Sequence, residues 1–265
     1  MKKLAAGVLL LFLVAALAAG CGQTPGKSGR GAGAQKEVTV SAAISLKDAL
    51  GKIKADYEKA HPDVKITYNL GASGALQQQI EQGAPVDLFI SAGASQMDQL
   101  AKEGLIDPAT RVNLLSNDLV LVTPQNGPQI KDFSALAGPA VKKIGLGLPK
   151  TVPAGKYAQE TLDSLKLWDK LQPKLVTAND VRQVLTYVET GNVDAGFVYR
   201  SDAMMGKNIK VALTVPDNLH KPIVYPAAVV KNARQKDVAR EFLNYLASPP
   251  GMQVFEQYGL KPGKK

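Results

Sequence analysis

Four short stretches of this chain place small or hydroxyl-bearing residues where a helix is expected to begin: Ala42-Ala43-Ile44-Ser45-Leu46, Gly71-Ala72-Ser73-Gly74-Ala75, Val152-Pro153-Ala154-Gly155 and Ala178-Asn179-Asp180-Val181. Taken one at a time they are ordinary starts. Ser, Asn and Asp cap helices, and Pro suits the first turn. Together they suggest chemistry. The first turn of a helix has unpaired N–H groups and the positive end of the helix dipole, which suit an anion. Open α/β sheets hold ligands beyond the carboxyl ends of their strands, where helix starts point. Several converging starts would form an uncharged pocket that selects anions.

Positioning these starts needs strands that feed helices, and the periodicity supplies them. Strand patterns begin at 38–40 and run over 64–70, 87–90, 143–147 and 194–199. Helical patterns cover 46–60, 75–82, 94–103, 154–165, 179–189, 236–247 and 251–258. This alternation predicts an α/β protein with parallel sheets covered by helices. Two apolar strands, at 119–122 and 223–230, stand apart. A chain that leaves one lobe near 119 and returns near 224 would give two α/β lobes joined by two crossing strands. A single continuous sheet would read the same way.

The N-terminus reads as an address. Lys2 and Lys3 precede an uncharged apolar run over 4–20 that ends in Leu17-Ala18-Ala19-Gly20-Cys21, with Cys21 the only cysteine. The pattern resembles a bacterial lipoprotein signal, in which residues 1–20 are removed and Cys21 is lipidated. A transmembrane helix needs about 20 apolar residues, slightly more than this run offers. An ordinary secretory signal would leave Cys21 an unpaired thiol in an oxidising compartment. Residues 21–36 (CGQTPGKSGRGAGAQK) are too polar and Gly-rich to pack and are expected to be a flexible tether. Five of the 32 basic residues (Lys2, Lys3, Lys27, Arg30, Lys36) precede Glu37, leaving 27 against 23 acidic ones in the folded part. That balance argues against a nucleic-acid-binding face.

Several blocks carry a family resemblance: AAISL at 42–46, GASGALQQQIEQGAPVDLFISA at 71–92, LPKTVPAGKYAQETL at 148–162, ANDVRQVL at 178–185, DAGFVYRSDA at 194–203 and YPAAVV at 225–230. They resemble, in order from about 38 to 260, the molybdate-binding proteins (ModA) of bacterial ABC importers. The resemblance implies a two-lobed, periplasmic-binding-protein-like fold of type II. Its sheets would be parallel-rich with helices on both faces and two crossing hinge strands. Residues 37–118 plus 224–265 would form one lobe and 119–223 the other. It implies a binding protein, not an enzyme, that takes molybdate or tungstate without a cofactor and delivers it to an ABC importer permease. The protein would lie outside the cytoplasm, held to the membrane by its N-terminal lipid, and act as a monomer. The ligand would be held by Ser45 and Ser73, by the backbone amides of Ala154 and Val181, and by the hydroxyl of Tyr199. Around Ser73 the family is usually richer in serine.

The residue chemistry agrees with that implication. A tetrahedral oxyanion such as molybdate offers only acceptors at neutral pH, and serine, amide and tyrosine groups can all donate to it. Size would then select against sulfate, and the lack of an acceptor against protonated phosphate. Tyr199, at a strand end, could equally be a core or rim residue. An enzyme reading fares poorly: Gly71-Ala72-Ser73-Gly74-Ala75 misses the G-x-S-x-G elbow at its last position. His61 and His220 read as solvated loop residues. Sulfate, phosphate, ferric and organic solute-binding proteins remain rivals within transport. A ferric site wants clustered tyrosines, and the eight here are scattered. Asp180 and Arg182 could face an organic ligand, although a helix cap and a surface charge are the simpler roles.

Overall fold

The computed structural model describes residues 35–263. The expected signal segment 1–20, Cys21 and the tether up to residue 34 lie outside the described residues.

β1 (Lys36–Ala43) runs through a 3-10 turn, Ile44–Leu46, into α1 (Lys47–Ala60). Then come β2 (Val64–Gly71), α2 (Ser73–Glu81), β3 (Leu88–Ile90), α3 (Ala94–Lys102) and β4 (Val112–Ser116). β5 (Leu119–Pro124) opens a second block with β6 (Ile144–Gly147), α4 (Pro153–Ser164), α5 (Trp168–Leu171), β7 (Leu175–Ala178), α6 (Val181–Glu189), β8 (Ala195–Tyr199), α7 (Arg200–Met205) and β9 (Ile209–Thr214). The chain closes with β10 (Val224–Val229), α8 (Lys236–Ala247), α9 (Pro249–Gln257) and β11 (Lys261–Pro262).

The strands form two sheets. One has the order β11-β4-β10-β3-β1-β2 and the other β7-β6-β8-β5-β9. The chain passes between them twice, after β4 and after β9, so the single continuous sheet that the periodicity left open does not form. The expected parallel pairing holds where strands alternate with helices: β1 with β2 and β3, and β6 with β7 and β8. The crossing strands run against it. β10 is antiparallel to β3 and β4, and β5 to β8 and β9, so both sheets are mixed. β4, β7 and β9 do not emerge from the periodicity, because they lie at or beside sheet edges and are only partly buried. Strands covered on both faces read as apolar runs; edge strands do not.

β1 begins one residue inside the segment assigned to the tether. Lys36 pairs with Val64, and its N–H donates to Asp63 O at 2.8 Å. Two helices also start earlier than their apolar pattern suggests. α2 begins at Ser73 rather than residue 75, and α9 at Pro249 rather than 251, because first-turn residues need not be apolar. α6 instead begins at Val181, two residues later than expected.

Buried apolar side chains from both sheets form one contiguous core, with Leu119, Val120, Leu121 and Val122 of β5 fully buried. A smaller cluster sits under α2 and α3 around Phe89, Met97 and Leu100. Pro226 has no N–H for the ladder, and the β10–β4 register slips between Tyr225 and Pro226. That irregularity lies beside Tyr225, whose hydroxyl is 3.0 Å from Ser45 Oγ.

Candidate functional site

β1, β2, β6 and β7 each end just before one of the four suspected starts, and β8 ends at Tyr199. Their carboxyl ends converge from both sheets on one cavity. It is lined by Ser45, Ser73, Ala154, Val181 and Tyr199, together with Ala43, Ile44, Gly71, Ala72, Ala92, Val152 and Pro153. Thus the structure brings all five expected residues to one place. The cavity is small, ≈ 210 Å³ of atom-free space including its open mouth. A compact ligand of a few heavy atoms suits it and an extended organic solute does not. Among the described residues, no charged side chain lines it.

α2 and α4 have no side-chain cap, and Pro153 occupies the first turn of α4. Asp180 is the cap of α6, as one of two candidates in the sequence, but it accepts from Gln183 N–H at 2.9 Å. The N–H of Val181, two residues earlier, stays outside that cap.

Two glycines let the starts pack this closely. A Cβ on Gly155 would lie 1.8 Å from Gly147 O, so only glycine allows the first turn of α4 to sit on the end of β6. Gly74 donates its N–H to Thr151 O at 2.9 Å, tying α2 to the loop before α4. A Cβ on Gly74 would lie 2.6 Å from that oxygen. Gly74→Ala is therefore expected to push the two sides apart and weaken ligand capture about tenfold, the effect of roughly 1.4 kcal/mol. Calorimetric titration checks this; an unchanged affinity would show that the gap can absorb a methyl group.

The hydroxyls are buried and each has a partner. Ser73 Oγ accepts the N–H of Ala92 at 2.9 Å, which leaves its own proton free for the cavity. Ser45 Oγ lies 3.0 Å from Tyr225 Oη, and Asn117 Nδ2 lies 3.2 Å from the same Oη. Tyr199 is 1% exposed, and its hydroxyl donates to Ala92 O at 3.2 Å. That proton can swing to an anionic oxygen within reach, because charge-assisted hydrogen bonds are roughly twice as strong as neutral ones. Burial pushes both phenols well above the usual tyrosine range, so both remain protonated donors at neutral pH.

Fixed charges adjoin the lining in sequence: Arg182 follows Val181 and Asp202 comes three residues after Tyr199. Arg182 contacts Asp48 of α1, and its Nε lies 2.6 Å from Asp202 Oδ1 without pointing its N–H at that oxygen. Arg182 is thus no surface charge: it lies between the two sheets' elements, and Asp202 beside it is fully buried. His220 is not simply solvated either; it is half-buried with its ring 5.7 Å from that of Tyr157.

Sequence reasoning missed Tyr225 and Asn117 as parts of the site. The signal was present: a tyrosine in an otherwise apolar buried strand must find a partner for its hydroxyl.

A two-sheet α/β architecture with a compact donor-lined cavity between the sheets defines a solute-binding protein rather than an enzyme. The chain belongs to the family of bacterial extracellular solute-binding proteins, whose sequence profile matches residues 38–261. Among its relatives, YvgL of Bacillus subtilis (strain 168) is 48% identical over 223 residues, covering 84% of this chain and 85% of its own; its name describes an ABC transporter substrate-binding lipoprotein. The molybdate-binding protein ModA of Escherichia coli (strain K12) is 41% identical over 232 residues, covering 84% of this chain and 88% of that protein. The solved periplasmic molybdate-binding protein of Azotobacter vinelandii superposes with a TM-score of 0.76 at 25% identity, covering 86% of this chain and all of the other. The resemblance expected from the residue blocks is shown by these relatives.

Proposed function

We propose that this chain captures molybdate outside the cytoplasm and delivers it to the permease of an ABC importer. The observation that carries the reading is the cavity itself: uncharged, compact, and lined by donors from four helix starts. The relatives named as molybdate-binding proteins support the choice of anion. Donors come from Ser45, Ser73 and Tyr199 and from the amides of Ala154 and Val181. Tungstate, with the same charge and shape, is taken as well. Residues 37–118 with 224–265 and residues 119–223 act as two lobes that close on the anion by bending at the two crossings. The protein works as a monomer, tethered by lipid on Cys21 in the manner its leader suggests.

Calorimetric titration with molybdate, tungstate, sulfate and phosphate tests this reading. One molybdate or tungstate per chain is expected, with sulfate and phosphate far weaker. Molybdate at a hundred times its Kd is expected to stabilise the fold by about 2.7 kcal/mol. Sulfate competing on equal terms would refute the size argument.

A further inference from the structure

Ser45 can face the cavity as a donor or as an acceptor, since a hydroxyl has one proton and two lone pairs. Its partners within the protein do not line the cavity. Asn117 Oδ1 accepts the backbone N–H of Asp118 at 2.9 Å. That N–H can only donate, so the other end of the amide must be the NH2 group. Nδ2 therefore donates to Ser201 Oγ at 2.8 Å and to Tyr225 Oη at 3.2 Å. With one lone pair of Tyr225 Oη engaged, its single proton is free for Ser45 Oγ at 3.0 Å, a contact in which either hydroxyl can donate. Where Ser45 accepts it, the serine's own proton is left for the cavity. Asn117 is 6% exposed, Tyr225 0% and Ser45 5%.

We infer that Asn117 and Tyr225 are positioning residues that lock Ser45 as a hydrogen-bond donor and thereby set discrimination against protonated oxyanions. The inference rests on the proposed oxyanion site and extends it to residues outside the cavity. An oxyanion that carries its own proton needs an acceptor. In the intact relay each serine already spends one lone pair on a protein donor and turns its proton to the cavity, Ser73 being held in this way by the Ala92 amide. The main-chain arm cannot be reversed by a side-chain change; the Asn117–Tyr225 arm can.

Sulfate and inorganic phosphate form the decisive pair. They match in size and shape, but phosphate carries at least one proton at neutral pH. Affinities for molybdate, sulfate and phosphate are measured on the full-length chain in detergent. Two near-isosteric variants, Tyr225→Phe and Asn117→Asp, are compared with the wild type. Tyr225→Phe frees Ser45 to rotate, so the sulfate-to-phosphate affinity ratio is expected to fall about tenfold, while molybdate weakens severalfold. Asn117→Asp removes the donor and turns the relay around: Tyr225 donates to the new carboxylate and can accept from Ser45. The ratio is expected to fall at least as far. A merely structural role would weaken all three anions by one common factor, and an unchanged ratio in either folded variant overturns the inference. A wild type that binds none of the three would instead refute the oxyanion reading itself.

Discussion

Arg182→Leu is expected to destabilise the protein by about 3–5 kcal/mol at mildly alkaline pH, the cost of leaving a buried charge without its partner. Asp202 is fully buried, and its Oδ1 has Arg182 Nε at 2.6 Å. Burial pushes the Asp202 carboxyl up to about 6, against the pull of Arg182 and of the nearby Tyr199 backbone. Its folded value thus lies above the unfolded one, near 3.9. The folded protein binds that proton more tightly, so this carboxyl favours folding most at low pH. Its contribution is lost as pH rises through about 6. Removing Arg182 takes away a pull toward the charged form, raises the folded carboxyl further and so extends the loss over a wider pH range. The variant should therefore be nearly as stable as the wild type at about pH 5 and much weaker at about pH 8. Asn at position 202 in the same chain removes the charge, and the double variant is expected to recover most of the loss. Urea unfolding at both pH values reads all three proteins. Equal losses at the two pH values would mean that Arg182 matters through packing alone.

That ion pair marks the limit of what the sequence reveals. Helices with one apolar stripe, such as α1 and α8, are legible because burial leaves a periodic trace. The crossing strands β5 and β10 are legible as well, since both are buried on two faces. The site is legible where it is built from local pieces, because a helix start is written in adjacent residues: Ser45, Ser73, Pro153 and Asp180 each sit beside the strand end that aims them. What joins those pieces is written nowhere locally. Tyr225 meets Ser45 across 180 residues, and Arg182 meets Asp48 across 134. Read alone, Arg182 is a charged residue on an amphipathic helix, for which solvent is the default partner. Pairwise geometry of this kind depends on how two sheets come together, and no period or spacing encodes it.

Ser73→Ala is expected to lower molybdate affinity roughly 10- to 150-fold, or about 1.5–3 kcal/mol, the scale of a hydrogen bond to a charged partner. Ser73 differs from Ser45 in what its loss leaves behind. Its Oγ is the acceptor for Ala92 N–H at 2.9 Å, and Ser73 is 1% exposed. Alanine removes both that acceptor and the donor to the anion. The Ala92 amide is then buried without a partner, at a cost of about 1–3 kcal/mol in the ligand-free protein. The same variant should thus lose stability without ligand and affinity with it, and by separate amounts. Tyr199→Phe separates the two effects from the other side of Ala92. It removes a donor while leaving the Ala92 carbonyl only a weak 3.2 Å bond poorer, so its effect should appear mainly in binding. Titration reads the affinities, and thermal unfolding without ligand reads the stabilities. If Ser73→Ala melts early yet binds molybdate as tightly as the wild type, Ser73 holds the Ala92 loop and does not touch the anion. A loss in both measurements assigns it both tasks, with one oxygen fixing the loop while its proton faces the ligand.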